Sequence, residues 1–284
     1  MKKYFIFLFL IIIFFSCKKD LPIDNTNVEV LTLNSKIMNK DINNTVIKPI
    51  ENKKKDSLAV IYILHGAYGN YNDWISHVPE LIDFSNTNDI IIVCPDGGYN
   101  SWYFDSPIDS NFMYETYIIK ELIPSIDSIY STSKSKYLRA ITGNSMGGHG
   151  SFYLAIRNQN SFAYAGSMSG GLDIRPFSES WNISDRLGPI SLYTNNWQEN
   201  TVINMANLID STELKLIFDC GNNDFFLDVN NNFHQELLKL NIPHVYNTYS
   251  GSHDWSYWSE VVFYHLSFFK MQFDSVNYNY IESK

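Results

Sequence analysis

The 284-residue chain is short of positive charge, cysteine, glycine and proline, and each shortage closes off a class of protein. With 21 Lys and Arg against 30 Asp and Glu the formal charge is −9, so no basic surplus exists to neutralise a phosphate backbone, and nucleic acid is not an expected partner. Three cysteines cannot build a disulfide framework, and 14 Gly with 9 Pro exclude collagen-like and low-complexity chains. Charged residues make up only 18%, whereas 45% are hydrophobic and 15% aromatic, a composition that folds around a large core rather than staying disordered. Length alone suggests about two domains, but α/β folds of this size often share one core, and one domain is the starting expectation. No internal repeat is visible, and neither a metal nor a cofactor is expected.

The one long apolar run lies at the start. Lys2 and Lys3 precede an unbroken stretch from Tyr4 to Phe15, and as a helix these 12 residues would span about 18 Å, short of a bilayer core of about 30 Å. The run therefore reads as the h-region of a signal peptide over residues 1–16. Ser16-Cys17 resembles the lipobox of bacterial lipoproteins, which implies lipidation of Cys17, although Phe14 and Phe15 depart from the usual residues there. Removing residues 1–16 takes two lysines and no acid, moving the charge from −9 to −11, so attachment would rest on lipid and not on basic residues. Residues 17–27 are polar and read as a tether, and 28–284 as the folded domain. The expected location is the bacterial envelope, lipid-anchored to the outer membrane. Lys18-Lys19-Asp20 weakly resembles a surface-export tag, which leaves surface and periplasmic orientation open. Cys94 and Cys220, each ending an apolar run, read as buried free thiols.

Beyond the tether, strand and helix signals alternate. Val28 to Leu33 and Asn44 to Ile47 read as early strands. Leu58 to Leu64 and Ile90 to Cys94 are β-branched runs with the look of strands buried on both faces. Met113 to Ile129 reads as a helix with a kink at Pro124, Leu138 to Thr142 as a strand, Gly147 to Arg157 as a helix and Ala163 to Met168 as a strand. Lys215 to Cys220, Phe226 to Leu240, His244 to Tyr249 and Trp255 to Phe269 complete the alternation. The pattern predicts an α/β fold with a mostly parallel central sheet flanked by helices on both faces, and an irregular insertion at about 174–211 over the sheet's loop end.

Gly143-Asn144-Ser145-Met146-Gly147 is Gly-x-Ser-x-Gly between a predicted strand and a predicted helix. In such a turn only small residues fit at the Gly positions, the Ser hydroxyl is lifted above the sheet, and the following helix N-terminus favours a developing oxyanion. A Ser hydroxyl needs a base, and this fold orders the triad as Ser, then acid, then His. Of seven histidines, His65, His77 and His149 precede Ser145 or stand too near it, while His234, His244 and His265 lie in predicted helices or at a strand start. His253 alone occupies a loop between a strand and the last helix, and is the expected base. For the acid, Asp224 lies beyond a strand end and leads; Asp228, one helical turn on, is the reserve; Asp219, within the strand, reads as structural. Two amides should hold the oxyanion: Met146 N–H after the nucleophile, and Ala67 N–H in the His65-Gly66-Ala67 loop. Trp102, Tyr103, Trp181 and Trp258, with Trp197, suggest an aromatic substrate cleft, although aromatics are also ordinary core.

Five ordered stretches together resemble the esterase D branch of the α/β-hydrolases, which includes S-formylglutathione hydrolases, tributyrin esterases, feruloyl-esterase-like proteins and mycolyltransferases. They are Leu64-His65-Gly66-Ala67-Tyr68-Gly69-Asn70 with Asp73-Trp74; Pro95-Asp96-Gly97-Gly98 with Ser101-Trp102-Tyr103; Gly143 to Gly150; Cys220-Gly221 with Asp224-Phe225; and Gly251-Ser252-His253-Asp254-Trp255 with Tyr257-Trp258. The resemblance covers about residues 28–270. It implies the α/β-hydrolase fold, triad roles for Ser145, Asp224 and His253, and oxyanion roles for Ala67 and Met146. The signal peptide argues against a cytosolic thioester substrate. The expected activity is a secreted serine carboxylesterase acting on short-chain acyl or carbohydrate-linked acetyl or feruloyl-type esters. An acyltransferase with a sugar or lipid alcohol acceptor, and a surface-binding protein without turnover, are the alternatives.

Overall fold

The computed structural model describes residues 27–50 and 57–282, with side chains described as far as residue 276. The proposed signal peptide, Cys17 and nearly all of the tether lie outside the described residues. Among the described residues no helix is long and apolar enough to cross a membrane.

Eight strands form one sheet: β1 Val28–Ser35, β2 Lys40–Ile47, β3 Ala59–Leu64, β4 Ile90–Pro95, β5 Arg139–Gly143, β6 Tyr164–Met168, β7 Lys215–Gly221 and β8 His244–Tyr249. Their spatial order is β1-β2-β4-β3-β5-β6-β7-β8. The first two strands join antiparallel, while β4, β3, β5, β6, β7 and β8 run parallel. This is the mostly parallel sheet of the α/β-hydrolase fold. Parallel strands need crossovers, and the helices supply them: α1 Asp73–His77 and α2 Leu81–Asn88 between β3 and β4, α3 Tyr114–Thr116 and α4 Ile123–Ile129 before β5, α5 Met146–Arg157, then α6 Ile183–Leu187 and α7 Thr194–Asn200, α8 Leu227–Lys239 and finally α9 Trp255–Glu282.

Strand alternation divides the core in two. Val60, Tyr62 and Leu64 of β3 turn toward a cluster with Ile126, Phe152 and Phe233, whereas Ile61 and Ile63 turn toward Trp74, Leu81 and Val262. Helices α4, α5 and α8 thus cover one face, and α1, α2 and α9 the other. The stripe Trp258, Val261, Val262, Leu266, Phe269 and Phe273 of α9 recurs at helical spacing and is buried. Each such side chain stabilises the fold by roughly 1.5–3 kcal/mol on burial.

The helix expected over Met113 to Ile129 is interrupted differently from a simple proline kink. A π-helical segment, Tyr117–Leu122, lies between α3 and α4, ahead of Pro124, whose missing N–H removes a donor from the ladder. The insertion at 174–211 consists of α6, α7 and two 3₁₀ segments, Arg175–Phe177 and Val202–Leu208. Cys94 and Cys220 are buried free thiols, and burial raises the pKa of both.

Candidate active site

Ser145 stands on the turn from β5 into α5 with φ 57° and ψ −117°, a conformation that costs a non-glycine residue about 1–3 kcal/mol. Surrounding bonds hold it there: Ser145 N–H donates to Met168 O at 2.9 Å, Gly147 N–H to Asn144 O at 2.7 Å, and His149 N–H to Ser145 O at 3.0 Å. Two glycines make the turn possible. A Cβ at Gly143 would lie 2.6 Å from Leu64 O, and one at Gly147 would lie 2.4 Å from the same oxygen and 2.7 Å from His65 O.

From this turn a hydrogen-bonded chain runs through three loops at the carboxyl ends of the strands. His253 Nε2 lies 2.8 Å from Ser145 Oγ, and His253 Nδ1 lies 2.8 Å from Asp224 Oδ2. Asp224 is acceptor-only when ionised, so Nδ1–H donates to it and Nε2 presents a lone pair to the Ser145 hydroxyl. The other carboxylate oxygen, Oδ1, accepts from Phe226 N–H at 2.8 Å, which fixes the acid at the start of α8. The Asp224 side chain has no exposed surface and that of His253 is 14% exposed. Phe225, Phe226 and Trp258 wall the imidazole, with ring centroids 4.2, 5.3 and 4.9 Å away. Asn223 N–H donates to Gly251 O at 2.9 Å, tying the acid loop to the histidine loop.

Ala67 lies beside this chain. A Cβ on its neighbour Gly66 would come 3.4 Å from Ser145 Cβ, and Ala67 and Ser145 line one cavity. Met146 N–H opens α5. Among the described residues neither the Ala67 nor the Met146 N–H has a hydrogen-bond partner, so both donors are available.

His65, excluded as a base by its place in the sequence, has a clear task. It is fully buried, and burial lowers its pKa. Gly97 N–H donates to Nε2 at 2.8 Å and Nδ1 lies 2.7 Å from Gly66 O, so the neutral ring with its proton on Nδ1 brackets the Gly66-Ala67 loop against the loop after β4. Tyr103 OH donates to His65 O at 3.1 Å and supports the same loop. His149 is buried among Trp102, Phe104 and Tyr153, and burial lowers its pKa to about 4.

The cavity over Ser145 is about 260 Å³ and is lined by Tyr68, Asp73, Trp181, Trp255 and Trp258 beside Ala67, Ser145 and His253. Of the aromatic residues expected at a substrate cleft, Trp181 and Trp258 line this cavity. For Trp102 and Tyr103 the structure corrects that reading: both are buried, at 1% and 0% exposure, and neither lines the cavity. Trp102 packs on His149 and behind Trp181. Trp197 is also core, its indole N–H donating to Gly188 O at 2.8 Å. Tyr68, Asp73 and Trp255 line the cavity as well, and their clustering in the Tyr68-to-Trp74 and His253-to-Trp258 stretches is the signal for them in the sequence. Asp219 is buried in β7, and Asp228 is exposed on α8. A further cavity of about 720 Å³ opens elsewhere, lined by residues including Ala59, Ile90, Leu138 and Phe273, and it shares no residue with the cavity over Ser145. Among the described residues no group of three or more His, Cys, Asp or Glu side chains is placed to hold a metal ion.

An eight-stranded α/β-hydrolase sheet with a serine at its strand–helix elbow defines a class, and comparison with known proteins narrows it. The family model described as "Putative esterase" matches residues 35–268, and the chain belongs to this esterase family. It therefore acts on carboxylic ester bonds. An acetyl esterase of Caldicellulosiruptor saccharolyticus is 25% identical over 248 residues, covering 80% of this chain and 92% of the relative. A solved ferulic acid esterase structure superposes with TM-score 0.73 at 28% identity, over 86% of this chain and 98% of the other. The S-formylglutathione hydrolase of Staphylococcus aureus shares the fold, with TM-score 0.75 at 20% identity over 86% and 98% of the two chains.

Proposed function

We propose that the protein is an exported serine carboxylesterase that hydrolyses short-chain acyl or carbohydrate-linked acetyl or feruloyl-type esters through an acyl-enzyme on Ser145. The observation that carries this reading is the unbroken chain from Asp224 through His253 to Ser145, with contacts of 2.8 Å at both links. Ser145 Oγ attacks the ester carbonyl as its proton passes to His253 Nε2. Asp224 holds the imidazole in its tautomer and stabilises the imidazolium. Ala67 and Met146 N–H groups receive the oxyanion, each worth about 3 kcal/mol of barrier. The proton on Nε2 then goes to the leaving alcohol, and water, activated by the same nitrogen, releases the acid and frees Ser145. The aromatic rings of Tyr68, Trp181, Trp255 and Trp258 suit the face of a sugar or an aryl acyl group.

Likeness to a diacylglycerol acyltransferase/mycolyltransferase of Mycobacterium gordonae, 26% identical over 71% of this chain and 69% of that relative, favours one second reading: transfer of the same acyl group to an alcohol in place of water. The deciding experiment offers p-nitrophenyl acyl esters, acetylated xylan and methyl ferulate to the wild type and to Ser145→Ala, with and without an added sugar alcohol. Release of free acid by the wild type alone supports the esterase. A new ester as main product supports transfer, and no turnover of any of these esters would contradict the proposed substrate class. Export and anchoring belong to the same proposal: residues 1–16 act as signal peptide, Cys17 carries lipid, 17–27 form the tether and 28–284 the single folded domain. Loss of membrane association and of radiolabelled fatty acid in Cys17→Ser tests that part.

A further inference from the structure

Beneath the proposed triad, inside the otherwise apolar layer between the sheet and α9, lies a second chain of hydroxyl, imidazole and carboxylate. Thr142 Oγ1 lies 2.8 Å from His265 Nδ1, His265 Nε2 lies 2.7 Å from Asp219 Oδ2, and Tyr257 OH donates to Asp219 Oδ1 at 2.7 Å. None of the four side chains is free in solvent: Thr142 and His265 are at 0% exposure, Asp219 at 2% and Tyr257 at 4%. The polar atoms satisfy one another, with Nε2–H and the phenol donating to the carboxylate and the threonine hydroxyl donating to Nδ1. Ala140, Ile217, Val261 and Leu266 surround them in the same apolar cluster.

Such a group is costly to bury. Replacing a buried charged cluster with well-packed apolar residues is often neutral or stabilising, so stability alone does not account for the quartet. Its geometry follows the triad element by element. Thr142 is on β5, three residues before Ser145; Asp219 is on β7, five before Asp224; Tyr257 and His265 are on α9, four and twelve after His253. The ring of Tyr257 also seats the histidine loop, since a Cβ on Gly251 would lie 2.4 Å from its Cδ2. Gly251 O in turn receives Asn223 N–H, next to Asp224. On the other side, Asp219 pairs in register with Met168, whose carbonyl receives the Ser145 N–H.

We infer that Thr142, His265, Asp219 and Tyr257 form a buried positioning device that sets β5, β7 and α9, and with them Ser145, Asp224 and His253, at their mutual distances. The inference rests on the triad reading. A misplacement of about 1 Å at a reacting group costs rate, and because the quartet lines no part of the cavity its effect falls on kcat and not on KM.

The test is Tyr257→Phe and the near-isosteric Thr142→Val, each removing one hydroxyl, assayed for kcat and KM on p-nitrophenyl acetate alongside Tm. The expected result is a fall in kcat of about 10-fold or more with KM within about twofold, a parallel slowing of fluorophosphonate inactivation, and recovery of kcat in Thr142→Ser. Two folded variants with wild-type kcat and a lowered Tm would overturn the inference and leave the quartet a packing feature only. Should Tyr257→Phe fail to fold, Thr142→Val and its serine rescue carry the test. Ser145→Ala in the same assay keeps the two claims apart: if it retains activity, the triad reading fails, whatever the quartet variants do.

Discussion

Asp224 Oδ2 stands 2.8 Å from His253 Nδ1, while Asp219, five residues earlier, bonds to His265 and Tyr257 instead. Two buried carboxylates from one strand and its loop thus serve two different imidazoles.

The first prediction follows from that division. Asp224→Asn keeps the shape but presents an amide where the imidazole needs an acceptor, and turnover should fall by about 10⁴-fold with the fold intact. Asp228→Asn, on the exposed side of α8, should change little. Steady-state kinetics of both variants check this, and near wild-type turnover in Asp224→Asn would move the acid elsewhere.

Gly147 has Leu64 O and His65 O within 2.7 Å of where a Cβ would stand. Both atoms are backbone, Leu64 closing β3 and His65 opening the Ala67 loop, so they cannot step aside without displacing that loop. Gly147→Ala should therefore lower stability by about 2 kcal/mol or more and disable turnover, read by urea unfolding and by rate.

Stability should also respond to pH through His149. Burial lowers its pKa from the ordinary 6.5 to about 4, so the native state holds it neutral while the unfolded chain protonates it below pH 6.5. The sign follows: stability is full above about pH 6.5 and is lost as pH falls toward 4, where the difference saturates. Between pH 7 and pH 5 the loss from this residue should be about 2 kcal/mol. Urea unfolding at the two pH values measures it. His65, shifted the same way by burial, adds to the effect, and His149→Phe should remove only its own share.

Trp181 and Trp258 line the cleft, but Trp102 does not. Trp181→Ala should raise KM for an aryl acyl ester by up to about 10-fold, with a smaller effect on an acetyl ester, because a stacking face is worth about 0.5–1.5 kcal/mol. Trp102→Ala should instead destabilise the protein by about 3–5 kcal/mol. A KM series with paired melting curves separates the two.

These residues also show how far the sequence could be read. The turn at Ser145 is legible because a β-branched run, two glycines with no room for a side chain and a small-residue helix start all agree locally. His253 is legible by elimination, since each other histidine falls in an element or too early in the chain. Asp224 competes in the sequence with Asp219 and Asp228, and only the end of β7 at Gly221 separates the three. Trp102 and Tyr103 misled, because a loop aromatic turns inward or outward according to distant partners: Trp102 N–H meets Met146 Sδ, and the Tyr103 phenol meets His65 O. The quartet was invisible for the same reason, as Thr142 and His265 stand 123 residues apart. The π-helical segment before Pro124 leaves no mark in the hydrophobic period either.

The most direct measurement of the central claim, that Ser145 is the nucleophile, is covalent labelling of the purified protein with a fluorophosphonate, followed by peptide mass spectrometry. A serine whose hydroxyl is hydrogen-bonded to an imidazole 2.8 Å away should react stoichiometrically, with the adduct on Ser145 alone and hydrolysis lost in proportion. An adduct on another serine, or undiminished ester hydrolysis in Ser145→Ala, would contradict it.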